Sequence, residues 1–337
     1  MASKIPPYRT PKNFILSSIE KINDYPINPR YLATIQETIG RSIYFGHTLW
    51  LFTLSDLKTI VVPSTIFGIT NSLTISKYHV VPDQPIQDRH LLCRSLMALL
   101  WVWINLVPFT IGNQTTASSI AEDAINKPWR PLPSRRLSSS HARIMMPFFY
   151  VVAQIFNIYT GSGIRQGVCL FLLGVWYNNL GGADYHPLIR NAINALGYVC
   201  FTSGAMEAAL GMPLPFCTSS RLVEWLGVIA GIIVTTVHVH DMYDQEGDAL
   251  RGRRTLPLVI GDMLARWVTA FWMLIWGICC PIFCGTGFIA QVSGLVLSLS
   301  VALRTLLYRN VSSDRLTCLT WNIWMSFVYL LPLFARE

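Results

Sequence analysis

Asp241, Asp244 and Asp248 follow one another at i, i+3 and i+7 where a long apolar run gives way to polar sequence. On a helix this spacing sets all three on one face. Carboxylates crowded in that way repel each other, so the pattern asks for a cation among them. At the mouth of a membrane helix the cation that fits is Mg²⁺, which takes oxygen ligands and shares its shell with substrate phosphates. Arg253, with Arg251 and Arg254 beside it, supplies fixed positive charge just downstream, ahead of Thr255-Leu256-Pro257.

An earlier segment repeats this order. Asn113 opens it, Glu122 and Asp123 follow, and then comes Asn126-Lys127-Pro128-Trp129-Arg130-Pro131. Acids first and cations afterwards, twice, is what a metal-bound diphosphate would need from two facing loops. The acids hold the metal, and Lys127, Arg130 and Arg253 neutralise the outer phosphate oxygens. One such loop could be only a solvated, topology-setting charge cluster. Two on the same face make that reading much weaker. No P-loop, dinucleotide glycine fingerprint or His-Glu-x-x-His motif occurs. His238-Val-His240-Asp241 makes a poor zinc site, because alternation at a helix end splays its two rings apart.

The elements that must position these loops are membrane helices. Of the 337 residues 52% are hydrophobic and 13% charged, with mean hydropathy +0.42. Nine apolar runs of about the 20 residues a spanning helix needs cover roughly 56–76, 92–112, 144–163, 166–180, 190–210, 221–240, 259–284, 287–307 and 317–335. One such run would suit a buried helix of a soluble core; nine with little polar sequence between them do not. An all-α, polytopic membrane protein of about nine transmembrane helices is expected. With a cytosolic N-terminus, 19 of the 26 Lys and Arg residues fall on the cytosolic side and 6 on the other, with Lys58 inside the first span. The net charge of +8 is then an orientation signal and not a nucleic-acid footprint.

Residues 1–42 read as a cytosolic tail without a charged-then-apolar leader, with a surface helix over 31–50, and residues 43–337 as the membrane domain. The eight cysteines lie mostly inside the runs without a Cys-x-x-Cys pair, as small apolar packing residues do. Sequons at Asn113 and Asn310 fall on the predicted cytosolic side, where they would stay bare.

These segments resemble the UbiA superfamily of intramembrane prenyltransferases from about residue 50 to the end. Asp241-x-x-Asp244-x-x-Gly247-Asp248-x-x-x-Gly252-Arg253-x-Thr255-Leu256-Pro257 is similar to that family's second aspartate motif throughout. Asp123-x-x-Asn126-Lys127-Pro128-x-Arg130-Pro131 resembles the tail of its first. The first motif departs upstream. Asn113 lies ten residues before Asp123 instead of eight, Ser119 stands at the middle aspartate position, and Glu122 has appeared beside Asp123. If the segment is one helix, two extra residues turn Asn113 by roughly 200° and put its role in doubt. The Asn-Gln opening and Glu-Asp pair look most like the fungal branch that includes membrane-bound sesquiterpene cyclases.

The resemblance implies nine helices around a central cavity capped by both motifs. It implies a Mg²⁺-dependent terpene cyclase that ionises farnesyl diphosphate, with geranylgeranyl diphosphate as the other chain length. Asp241, Asp244 and Asp248 would hold Mg²⁺, with Asp123 and Glu122 opposite. Lys127, Arg130, Arg253 and Asn113 would bind the diphosphate. Trp101, Trp103, Phe148, Phe149, Tyr150, Trp176 and Tyr177 offer aromatic faces to a carbocation, with Tyr177 and Asn178 the first choice for cavity contacts. Glu207 lies towards the far end of its span and reads as helix packing or part of a lumenal cavity, while Asp56 and Lys58 read as a helix start. The other functional readings are a prenyltransferase with an aromatic or lipid acceptor, and a non-enzymatic isoprenoid carrier or scaffold. The expected setting is the endoplasmic reticulum membrane, with the active-site loops cytosolic, the lipid bilayer as surroundings, and neither nucleic acid nor a protein partner.

Overall fold

The computed structural model describes residues 29–80, 91–216 and 219–336; residues 1–28 of the expected tail lie outside the described residues. The described chain is helical without strands, and an isolated antiparallel bridge joins Thr286 to Ala335. It divides into two units, Met1–His47 and Thr48–Glu337. Helix α1 (Pro29–Thr53) is helical over the range expected for a surface helix, but from Thr34 it belongs to a continuous stretch to Leu73 that is long and apolar enough to cross a membrane. In the first unit it carries an exposed Arg41–Glu37 ion pair at 2.6 Å.

Helix α1 runs on through a 3-10 turn (Leu54–Asp56) and a π-helical turn (Leu57–Val61) into α2 (Val62–Leu73). Asp56 and Lys58 therefore lie inside a helical stretch and do not start one. The irregularity has a local cause. Pro63 has no N–H to give the carbonyl one turn back, and its ring presses on that turn.

The larger unit continues with α3 (Leu91–Asn113), α4 (Ala117–Asn126), α5 (Ser139–Thr160), α6 (Ile164–Asn178) and α7 (Gly182–Tyr185). Then come α8 (Pro187–Leu210), α9 (Ser220–Thr236), α10 (Gln245–Arg251), α11 (Leu256–Ile260), α12 (Asp262–Phe283), α13 (Phe288–Leu307) and α14 (Val311–Leu330). Every expected apolar run lies largely on helix. Among the described residues seven helical stretches are long and apolar enough to cross a membrane, so the count of nine is not reproduced by that measure. Helix α6 has 15 residues, which reach about 22 Å against a hydrocarbon core of about 30 Å.

Helix α8 falls short for a different reason. It has 24 residues but carries Arg190, Asn191, Asn194 and Glu207 and is not apolar enough, as suits a helix against which α2, α3, α6 and α9 all pack. Its last ten residues, Phe201–Leu210, are all buried, and small side chains let neighbours in close. The contact with α2 requires glycine at 68: a Cβ there would stand 2.7 Å from the Ala205 carbonyl. Phe148, Ile155, Phe271, Ile278 and Ile289 instead point outwards from α5, α12 and α13, as a lipid-facing surface requires. The protein is an integral membrane protein.

The two ends of the bundle differ. At one end Glu207 of α8 is buried and receives the backbone N–H of Gly163 and of Leu214, the Gln166 amide and the Arg165 guanidinium, at 2.6 to 2.9 Å. That carboxylate ties two connections to the helix, in agreement with its expected packing role. At the other end are the short helices, with α10 packed on α4 and α7 on α8.

Candidate active site

After α9 the chain makes a 3-10 turn (Val237–His240), a turn over 241–244, and then α10, for which Asp244 is the N-terminal capping position. The three aspartates therefore do not share one continuous helical face. Aspartate competes with helix by bonding nearby backbone and favours caps and turns, and three like charges on one helix would add repulsion. The first motif is broken as well. Helix α3 ends at Asn113, and Thr116 caps α4 by accepting the Ser119 N–H at 3.1 Å. Counting Asn113 round one helix fails for that reason, and the break returns it to the site: Arg253 Nη2 donates to its side-chain oxygen at 3.4 Å. The Ser119 hydroxyl is spent on Thr116 at 2.6 Å.

Helices α4 and α10 face each other, as the two loops were expected to. Gly247 makes this approach possible, because a Cβ there would collide with the Asn126 side chain. Asn126 Nδ2 then donates to the Asp244 carbonyl at 3.3 Å. Across this seam acids and cations alternate. Lys127 meets Asp244 at 2.9 Å, Arg130 meets Asp123 at 2.7 Å, and Arg190 meets Asp241 at 2.9 Å. Arg253 bridges Glu122 at 2.9 Å and Asp248 at 3.2 Å, and its Nε reaches Asp184 of α7 at 3.0 Å. Arg251 takes the other Glu122 oxygen at 3.0 Å.

Beneath this seam opens a cavity of about 190 Å³. One water needs only about 10–15 Å³ of such space, so the cavity has room for an organic group. Its charged end is formed by Asp56, Asn113, Glu122, Lys127, Arg130, Arg190, Asp241, Asp244 and Arg253. The rest of its wall is largely apolar and aromatic, with Leu106, Phe109, Leu170, Tyr198 and Phe201, while Tyr177 lies close to Arg190 and Arg253. Asp123 and Asp248 stand behind the wall, almost wholly buried, against Arg130 and Arg253.

Burial and pairing pull these carboxyls in opposite directions. Burial pushes Asp241 up to about 7 despite Arg190, and it raises Asp248 against Arg190 and Arg253. Burial also raises Asp123, outweighing its close contact with Arg130. Glu122 is buried too, but Arg253 and Arg251 together hold it below the usual carboxylate range.

Among the described residues no group of three or more His, Cys, Asp or Glu side chains is gathered as a metal-holding set. The donor chemistry nonetheless fits a hard cation. Asp123 Oδ2, Asp244 Oδ1 and Asp248 Oδ2 are buried oxygens without a hydrogen-bond partner, a costly arrangement unless something positive completes it. His238 bonds Thr269 through Nε2 at 2.8 Å and His240 bonds Cys318 through Nδ1 at 3.1 Å.

Of the expected cavity contacts, Tyr177 lines the wall, whereas Asn178 lies beside Gly112 of α3. None of the other six proposed aromatic faces lines it. Trp101, for example, is sealed in the core with its N–H on the Ser162 carbonyl at 3.2 Å, and Phe148 faces outwards. The aromatic groups that do line it are Phe109, Tyr177, Tyr198, Phe201 and Tyr243. Sequence reasoning also missed Arg190, Asp184 and Asp56. A signal existed for Arg190 and Asp56, as charged residues within or at the end of an apolar run.

The UbiA prenyltransferase family matches residues 87–328 of the chain. Fumagillin beta-trans-bergamotene synthase of Aspergillus fumigatus is 28% identical over 240 residues, 69% of this chain and 74% of the relative. A polyprenyl transferase of Hericium erinaceus is 28% identical over 291 residues, 83% of this chain and 91% of the relative. Among solved structures, a UbiA homolog from Archaeoglobus fulgidus bound to GPP and Mg²⁺ shares the fold, with TM-score 0.57 at 12% identity over 85% of this chain and 99% of that one.

Proposed function

The chain belongs to the UbiA prenyltransferase family, and from that premise we propose that it is a membrane-bound terpene cyclase acting on farnesyl diphosphate. The observation that carries this reading is the two-ended cavity, charged at the α4–α10 seam and aromatic below it. A prenyl diphosphate is an amphiphile of the same pattern. Residues 43–337 form the catalytic domain and residues 1–42 a cytosolic tail, in the endoplasmic reticulum membrane with the seam facing the cytosol.

Lys127, Arg130, Arg190 and Arg253 bind the diphosphate oxygens, with Asn113 orienting Arg253. Asp241, Asp244, Asp248 and Asp123 would hold Mg²⁺, which when bound would supply positive charge against the leaving group. Glu122 has both oxygens on arginines and keeps Arg251 and Arg253 in place. The bond from C1 to the bridging oxygen breaks with its electron pair leaving on the diphosphate. The allylic cation stays among Phe109, Tyr177, Tyr198 and Phe201, whose ring faces stabilise it while the apolar wall excludes water. An internal double bond closes the ring, and loss of a proton gives a hydrocarbon.

The polyprenyl transferase among the relatives favours a second reading, in which the same cation is captured by an external acceptor. One experiment separates the two. Membranes holding the protein are given farnesyl diphosphate and Mg²⁺ without acceptor, and the extract is analysed by gas chromatography–mass spectrometry. A cyclic C15 hydrocarbon, lost with EDTA or Asp241→Ala, supports the cyclase. Product only with an added aromatic or lipid acceptor supports the transferase, and turnover unaffected by Asp241→Ala would sink both.

A further inference from the structure

Asp56 belongs to neither aspartate motif, yet its carboxylate is part of the cavity wall. It is presented by the junction of the 3-10 turn and the π-helical turn, the irregular stretch between α1 and α2. Such irregularities are common where a helix has to aim a side chain at a functional site. Its neighbours on the same stretch fix its depth. Ser55 accepts a hydrogen bond from Arg130 at 3.4 Å and so belongs to the charged end, whereas Ile60 packs into the apolar core. Asp56 stands between them in the chain, at the charged end of the cavity.

Every other carboxylate at this end of the bundle that lines or backs the cavity is held by Lys or Arg. Asp56 has no hydrogen-bond or ion-pair partner among the described residues. Arg130, Lys127 and Lys58 bear on it electrostatically, and Asp123 does so with the opposite sign. A carboxylate in that position with both oxygens uncommitted has a use in the chemistry above, because quenching the cation by elimination or by a hydroxyl acceptor releases one proton.

We propose that Asp56 is the catalytic residue that receives that proton. In cyclisation, the C–H bond beside the cationic carbon breaks and its electron pair becomes the new C=C bond. The proton goes to an Asp56 Oδ, giving a neutral carboxyl that returns it to water once product has left. In transfer to an acceptor hydroxyl, the oxygen lone pair forms the C–O bond and the O–H proton takes the same route. The proposal rests on the ionisation chemistry of the preceding section and holds for either fate of the cation.

The test compares wild type, Asp56→Asn and Asp56→Glu in detergent, with folding checked by size-exclusion chromatography. Diphosphate release and organic products are measured in the same single-turnover reaction with farnesyl diphosphate and Mg²⁺. For Asp56→Asn, hydrocarbon formation is expected to fall by about a hundredfold, the scale of losing a general base, while diphosphate release slows by less than about tenfold. Alcohols from water capture or altered alkene isomers take the hydrocarbon's place, and Asp56→Glu restores part of it. An unchanged product ratio overturns the proposal. So does equal loss of both readouts with a raised Mg²⁺ requirement, which would make Asp56 a metal ligand. If wild type forms product only with an acceptor, cyclisation fails and the same split is read on the prenylated acceptor.

Discussion

Arg190, in the first turn of the enclosed helix α8, holds Asp241 through two nearly parallel contacts, at 2.9 Å and 3.3 Å. The pair joins the second aspartate motif to a helix outside both motifs. It also lets one cation serve two purposes, since the same guanidinium lines the cavity.

Replacing Arg190 with Ala leaves Asp241 buried without its counter-charge and removes a cation from the diphosphate end. Turnover is expected to fall by about 10²–10³-fold, the usual scale for losing one charge-stabilising donor. Arg190→Lys should recover only part, because an ammonium cannot reproduce a two-point contact. Steady-state kinetics of both variants check this, and a loss below about threefold for Arg190→Ala would remove Arg190 from the site.

Gly247→Ala places a methyl group where the Asn126 side chain lies. Asn126 must turn away and give up the Asp244 carbonyl. The single variant should lose activity, and pairing it with Asn126→Ala should restore some of the loss, since the colliding amide is then absent. A double-mutant cycle measures this, with a coupling of about 0.5–3 kcal/mol expected for residues in contact.

Asp314 at the start of α14 takes both terminal nitrogens of Arg266 at 2.7 Å, shielded from solvent. Arg266 Nε in turn holds Asp262 at 2.8 Å, and Asp262 accepts from Gln245 at 2.8 Å at the start of α10. Asp314→Ala is expected to destabilise by about 3–5 kcal/mol, as breaking a buried pair does. Thermal unfolding in detergent tests this. The milder Gln245→Ala should keep the fold and raise the Mg²⁺ concentration needed for half-maximal rate, as Gln245 also bonds the Met242 carbonyl between Asp241 and Asp244.

Glu207 provides the contrasting case at the far end of the bundle. Glu207→Ala should lower stability by a similar ~3–5 kcal/mol, because the buried carboxylate gathers four donors. The folded fraction should nevertheless keep its Mg²⁺ half-saturation within about twofold, since distant sites act nearly independently. A shift as large as that of Gln245→Ala would show that the two ends communicate.

Much of this was legible in the residues alone. Hydropathy marks the helical runs, and the acid-then-cation order of both loops anticipates the seam where α4 meets α10. What was not legible depends on who faces whom. Arg190, at the end of an apolar run, is one of the cations on the predicted cytosolic side, and only packing shows that α8 is enclosed and brings it to Asp241. Asp56 read as a helix start because the helix before it is amphipathic rather than uniformly apolar. Trp101 and Phe109 lie on one helix, yet only packing decides that the first is sealed in the core and the second lines the cavity. The break after Asn113 is encoded by Thr116, whose capping role restores Asn113 to the site despite its altered spacing.

The pairing of acids with cations along the seam has a consequence for the rhythm of turnover. On the proposed reading, substrate and metal enter by exchange: a carboxylate lets go of its arginine to take the ion, and the arginine lets go to take a phosphate. Each broken contact is replaced by one of the same kind, so loading neither strips nor strands a charge. The exchange also runs backwards. When the hydrocarbon has formed, the same acids and guanidinium groups close on each other and compete with the spent diphosphate for their partners. On that reading the protein would carry its own displacing agent for the product that would otherwise bind it most tightly.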